Sequence, residues 1–222
     1  NTILDLPDGS QVEIPAFSFQ DPQGNVFYGM ADIKVLMAQR PGEFIIQNIS
    51  SLSEVGPLKV SKSIYVSAKS GTEKLKFRDK QSILIRLAQI KIREDQSLFR
   101  FDYQNDLPSW LQMTNSKIKE YKWISQGNPK YGVQFEIQSF DWYGPHNPAS
   151  QISQEPVICF SVPPQYVQQN TDVLVMTETK ILIPLVWNSI QNAYCLDQYN
   201  ADENFKFVLL SNQGSGNYFS SL

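Results

Sequence analysis

The sequence predicts an all-β fold: two β-sandwich-like domains packed in tandem, an N-terminal one over residues 1–108 and a C-terminal one over 109–222, with few short helical turns. Three observations predict it. Apolar residues recur with period two rather than 3.6. β-Branched and aromatic residues crowd into short runs. Gly, Pro, Asn and Asp break those runs at short intervals, at Asp8-Gly9, Gly24-Asn25, Pro41-Gly42, Gly56-Pro57, Ser70-Gly71 and Gly127-Asn128-Pro129. Many short strands so punctuated imply sandwiches or barrels.

The elements follow in order. In "VEIPAFSFQDPQGNVFYGMADIKVLM", residues 12–37, one strand-like run ends in Ile14-Pro15-Ala16, the segment Asp21-Pro22-Gln23-Gly24-Asn25 turns, and a longer run begins. "SIYVSAKS" and "SILIRLAQI" are rich in β-branched or aromatic residues. "LFRFDYQ" alternates Phe99, Phe101 and Tyr103 with Arg100 and Asp102, and "YGVQFEIQSF" alternates Val133, Phe135 and Ile137 with Gln134, Glu136 and Gln138. Such alternation sends one set of side chains to a core and the other to water. "TDVLVMTE" and "NFKFVLL" continue the pattern, with Phe205, Phe207 and Leu209 on one parity. Helical turns are expected only in "LPSWLQMTNSKIKEY" after Pro108 and in "PPQYVQQN". The polar, punctuated segment between about residues 104 and 130 places the boundary, although Trp110 and Trp123 argue that it is packed. One continuous large sandwich is the other organisation, and no repeat relates the halves.

Composition narrows the function classes. Apolar residues make up 41% and charged residues 18%, so a core exists and polarity rests on Gln, Asn and Ser, which suits an exposed, extracytoplasmic β protein. The formal net charge is −3, and the nearest basic run, "SGTEKLKFRDK", is interrupted by Glu73 and Asp79; it reads as a solvated strand edge, and nucleic acid is not an expected partner. No apolar run of about 18 residues offers a membrane span. The chain opens at Asn1 without Met, which suggests a mature or trimmed fragment with any export signal or lipid anchor upstream. Its two cysteines, Cys159 and Cys195, have no zinc-type spacing. They read first as buried free thiols behaving as small hydrophobes, and alternatively as a disulfide between neighbouring strands.

The candidate chemistry is sparse. Asp21, Gln23 and Asn25 supply too few oxygens for calcium, and a β-turn with Pro second and Gly fourth explains the same residues. Asp197, Asp202 and Glu203 read as an exposed acidic loop. His146, the sole histidine, has neither zinc partners nor a nucleophile elbow in the sequence and reads as a surface-loop residue. Trp142, Tyr143 and His146, bracketed by Pro145 and Pro148, make a candidate ligand-binding platform of aromatic faces suited to sugar or peptide; the competing reading buries the Trp in a domain interface. Trp187 reads as core or strand edge. "NIS" at Asn48 matches a glycosylation acceptor. No catalytic residue, metal site or cofactor is expected.

The first half, "DGSQVEIPAFSFQDPQGNVFYGMADIKV", then "GEFIIQN", then "GPLKVSKSIYVSAKSGTEKLKF", resembles an exported β-domain of cell-envelope proteins and lipoproteins of the Bacteroides–Flavobacterium group. The residues that carry the likeness are Ile14, Pro15, Ala16, Phe19, Asp21, Gly24, Asn25, Gly29, Leu58, Ala68 and Gly71. "YGVQFEIQSFDWYGPHNP" and "ILIPLVW" are similar to later segments of such proteins, with departures at Met30-Ala31 and at residues 143–146. The Ile-Pro-Ala opening is more distantly similar to β-sandwich domains of ankyrins and netrin receptors. The resemblance implies a secreted or surface-anchored β-sandwich module and brings no catalytic residues. The expected function is therefore a non-enzymatic, extracytoplasmic protein with a binding or structural role at the cell envelope, its partner an envelope protein or a glycan. The alternatives are a carbohydrate-binding accessory protein in polysaccharide capture and a hydrolase with spatially assembled carboxylates.

Overall fold

The computed structural model describes residues 1–89, 96–104, 108–149, 158–179, 181–196, 204–212 and 217–221. The protein is all-β. Its strands are β1 (Thr2–Asp5), β2 (Gln11–Ile14), β3 (Phe19–Gln20) and β4 (Asp32–Ala38), then, after helix α1 (Pro41–Ile46), β5 (Leu58–Lys59), β6 (Ser63–Ser70), β7 (Glu73–Lys74), β8 (Lys76–Phe77), β9 (Ile83–Ala88) and β10 (Ser97–Asp102). There follow β11 (Ser109–Gln112), β12 (Lys119–Ser125), β13 (Asn128–Ile137), β14 (Trp142–Pro148), β15 (Ile158–Phe160) and β16 (Thr171–Thr177). The last are β17 (Leu182–Pro184), β18 (Val186–Asn188), β19 (Ala193–Leu196), β20 (Phe205–Asn212) and β21 (Asn217–Ser221).

Two antiparallel sheets face each other over the first core. One runs β1-β2-β9-β13-β12; the other runs β11-β10-β14-β6-β4, with β5 added to β14 and β7 to β6. Alternation decides what lies between them. Ile83, Ile85 and Leu87 of β9 and Val133, Phe135 and Ile137 of β13 point inward beside Val12 and Ile14 of β2. They meet Ile64, Val66 and Ala68 of β6, Leu98 of β10 and Tyr143 of β14. In the β9–β13 ladder Phe135 stands opposite Ile85 and Ile137 opposite Ile83, so both members of each pair bury. A side chain of this size contributes about 1.5–3 kcal/mol when fully buried.

The second sheet is buried on both faces. Its other parity carries Phe99 and Phe101 of β10, Trp110 of β11, Trp142 of β14 and Tyr65 of β6 into a second core closed by Phe44 of α1, Ile49, Leu58 and Leu182. The helix forms where Pro41 opens the first turn and the Glu43 carboxylate reaches back to the N–H groups of Gln39 and Arg40, at 2.9 and 3.1 Å. A third core lies between sheets β15-β19-β18 and β17-β16-β20-β21, where Val173, Val175, Ile183 and Tyr194 pack with Phe160, Phe205, Phe207 and Leu209.

The pairing differs from the expected division into 1–108 and 109–222. β9 pairs with β13 and β10 with both β11 and β14, so hydrogen-bonded ladders cross residue 108. The strands before Ala149 pair only among themselves, as do those after Ile158, in the described residues. The two sets are nonetheless joined, because Ser51 N–H donates to Leu182 O at 2.6 Å and Leu182 N–H donates to Ser51 Oγ at 2.8 Å. The expected helical turns are corrected as well. Residues 109–112 and 119–125 are strands, while residues 163–170 make two turns closed by Tyr166 N–H to Pro163 O and Asn170 N–H to Val167 O, each 3.0 Å.

Candidate functional site

The Asp21 segment reverses the chain. Gly24 N–H donates to Asp21 O at 3.1 Å, and Gly24 takes φ +92°, which glycine adopts without steric cost. The carboxylate is spent on Asn25: the backbone N–H reaches Oδ1 at 2.8 Å and the side-chain amide reaches Oδ2 at 3.0 Å. These bonds from Asn25 hold the Asp21 carboxyl below its usual range. The acidic residues Asp197, Asp202 and Glu203 lie outside the described residues, and among the described residues no three His, Cys, Asp or Glu side chains converge on a metal-sized site.

The exposed platform at Trp142, Tyr143 and His146 is corrected. All three lie on β14, in the interior of the second sheet, and are at most 2% exposed. Side chains alternate across a strand, so Tyr143 enters the first core while Trp142 and His146 enter the second. His146 is therefore no surface-loop residue. Its Nδ1 accepts the Ser61 N–H at 3.1 Å, so the ring proton sits on Nε2, 3.3 Å from Ser63 Oγ. Burial pushes its pKa down to about 3, against the opposing pull of the Pro145 backbone. A neutral imidazole with both nitrogens engaged is a packing and hydrogen-bonding element, closed to metal and substrate.

Tyr143 does reach one cavity, of about 640 Å³, which Arg100, Lys117, Lys119, Gln134 and Ser139 also line. Its hydroxyl meets Ser139 Oγ, Ser139 Oγ donates to Asp141 Oδ2 at 2.7 Å, and Arg100 Nη1 lies 3.3 Å from the same carboxylate oxygen. Burial raises the Tyr143 phenol above its ordinary pKa. The network locks the end of β14 to β10.

The two cysteines form a disulfide in register: Cys159 of β15 stands opposite Cys195 of β19. The reading as free thiols is thereby overturned, for the ladder brings the two side chains together.

Two further cavities, about 300 and 700 Å³, open where α1 and the residues after it approach the later sheets; Gln168, Thr171 and Asp172 line both. Cavities of this size are ordinary for ligand sites. Trp187 lines the smaller one from β18, one of the two edge strands of its sheet, and is half-buried. Its indole is held edge-on by Tyr194, with ring centroids 4.9 Å apart, and the Tyr194 hydroxyl donates to Thr171 O at 2.8 Å. Burial, with the nearby Asp172 charge, raises the Tyr194 pKa. Exposed Asn48, at the end of α1 with φ +54°, faces this cavity too. Sequence reasoning placed Trp187 as core or edge. No local signal in "LIPLVWNS" marks more than that, because the rest of the cavity wall comes from distant residues, Asn48, Ser50 and Gln168.

No protein-family model, curated protein or solved structure matches this chain.

Proposed function

We propose that this is a non-enzymatic, extracytoplasmic β-sandwich protein whose role is interaction at the cell envelope. The observation that carries the reading is the Cys159–Cys195 disulfide: such bonds persist in oxidising compartments and are reduced in the cytosol. The low charge content and the resemblance to exported envelope domains favour the same place. The engagement of both nitrogens of the sole histidine favours a non-catalytic protein, since general-base and triad chemistry at neutral pH most often call on that side chain.

The test has two parts. Thiol-blocking reagent added to intact producing cells leaves Cys159 and Cys195 unlabelled unless a reductant is added first. Labelling without reductant overturns the compartment. Turnover by the purified chain on glycosidase, esterase and peptidase substrates overturns the non-enzymatic assignment.

A further inference from the structure

We propose that the paired cavities around Gln168 and Asp172 form one cleft that binds a neutral oligosaccharide, with Trp187 as the stacking platform. The inference rests on the interaction role proposed above and names its ligand class. Sequence reasoning looked for such a platform at Trp142 and Tyr143, which are buried; the fold leaves a different indole available.

Three features carry the proposal. The first is the state of the tryptophans. Of the chain's four, Trp110 is 0%, Trp142 2% and Trp123 8% exposed, whereas Trp187 is half-buried at the cavity wall. Exposing part of an indole forgoes burial that the other three obtain. Tyr194 braces the ring edge-on, so the platform is pre-oriented and loses little freedom on binding. The second is the hydrogen-bonding character of the walls. Asn48, Gln168 and Gln169 supply amides that both donate and accept, and Asp172 supplies a carboxylate able to accept from two adjacent hydroxyls. The third is charge. Among the described residues that line the two cavities, Asp172 is the one carboxylate, and no Lys, Arg or His joins it. A phosphate, sulfate or carboxylate ligand would meet no countercharge from these described residues. A sugar fits: its C–H faces pack on an aromatic ring and its neutral hydroxyls pair with amides and a carboxylate.

The experiment titrates the purified, oxidised chain with maltohexaose, cellohexaose, xylohexaose and mannohexaose, reading calorimetric heat and tryptophan fluorescence. Because the other indoles are buried, a shift in emission reports Trp187. At least one hexasaccharide is expected to bind and to protect the chain's emission from acrylamide quenching. Trp187→Ala is expected to lower affinity about tenfold or more. Trp187 also packs on the third core, so Gln168→Ala and Asp172→Ala, at exposed positions, serve as variants that retain the fold; each is expected to weaken binding about three- to tenfold. Cosedimentation with insoluble glucan or mannan separates a surface-bound polymer from a soluble ligand. Absence of binding to the panel and the insoluble polymers overturns the proposal, as does sugar binding that survives all three substitutions. Those outcomes leave the interaction role standing if the thiols are oxidised in cells; reduced thiols overturn that role whatever the sugars do.

Discussion

The imidazole of His146 stands edge-on to the indole of Trp110, ring centroids 4.4 Å apart, and lies nearly parallel to Phe99 at 6.0 Å. Protonating that ring would place a charge in an aromatic pocket. The folded-state pKa, about 3, lies below the ordinary value of 6.5, so between these limits the unfolded chain binds the extra proton. Stability from this group is complete above pH 6.5 and is lost as pH falls towards 3, by about 1.4 kcal/mol per pH unit inside the window. Urea unfolding of wild type and His146→Asn from pH 7 to 4 is expected to give a shallower slope in the variant. Parallel slopes would mean that His146 is accessible to protons in the folded state.

Trp110 ties the expected boundary segment to the first hundred residues. Its Nε1–H donates to Ser50 O at 2.7 Å, and Phe101 packs edge-on against it at 5.1 Å. Trp110→Ala is expected to cost about 3–5 kcal/mol through the cavity it leaves. Trp110→Phe keeps most of the volume and orphans the Ser50 carbonyl, for about 1–3 kcal/mol. Equilibrium urea unfolding measures both, and equal costs would contradict the role of the hydrogen bond.

Much of the fold was legible in the sequence, for a reason specific to each element. β9 and β13 have one face in the core and one towards water; Val133, Phe135 and Ile137 announce themselves by alternation, and Ile83, Ile85 and Leu87 by the β-branched run that holds them. β14 does not. Six of its seven residues are buried because both faces of its sheet are covered, so no alternation survives. Pro145 also reads as a loop residue. It is tolerated because the β14–β6 ladder covers residues 142–143 and the β14–β5 ladder covers 147–148, leaving Pro145 between them with only β10 alongside. The candidate site at Trp142 and His146 failed for this reason. The boundary was misplaced by β12, whose polar Lys119, Glu120 and Lys122 mark a solvated edge strand and not a linker. Trp187 was visible as a residue, but its place at a cavity wall depends on how Asn48, Ser50 and Gln168 come together beside β18, which no local pattern encodes.

Lys62 is a buried cation with three acceptors. Its Nζ meets Asp8 Oδ2, Ser10 Oγ at 3.1 Å and Ala88 O at 2.9 Å, with one-tenth of the side chain exposed. Burial pushes the Asp8 carboxyl up, but hydrogen bonds from Lys62 and Ser10 and the Lys62 charge outweigh it, and the net pKa is lowered. The stability this contributes is present above the ordinary carboxylate range and is lost as pH falls through the folded value. Asp8→Ala leaves the ammonium buried without its charge partner and is expected to cost about 3 kcal/mol. The double variant Asp8→Ala, Lys62→Met is expected to recover part of that loss. A double variant no more stable than the single one would show that the pair acts through packing alone.

The Cys159–Cys195 bond closes a loop spanning 36 residues of sequence separation. Cross-linking a loop of that length removes unfolded-state entropy equivalent to about 4 kcal/mol. Reduction, or Cys159→Ser with Cys195→Ser, is expected to lower the melting temperature of the later sheets and to leave exchange protection in β9 and β13 unchanged. Amide exchange read strand by strand checks this. Uniform loss of protection would show that all the sheets unfold as one unit.

Two glycines separate close approach from backbone conformation. At Gly132 the backbone is not left-handed, yet an added Cβ would stand 2.0 Å from Leu87 O and 3.0 Å from Gln89 N, inside the β9–β13 ladder. The obstacle is backbone, which cannot rotate aside as a side chain would. Gly132→Ala is therefore expected to push the strands apart at the Ala88 pair and to cost about 2–3 kcal/mol. At Gly24 nothing lies within 4 Å of the same added atom, and the difficulty is φ +92° alone. Gly24→Ala is expected to cost about 1–2 kcal/mol, confined to the turn. Amide exchange tells the two apart: Gly132→Ala accelerates exchange along β9 and β13, whereas Gly24→Ala changes only residues 20–26. If Gly132→Ala left the ladder protected, β9 and β13 would have to pair in a different register from the one that places Phe135 opposite Ile85.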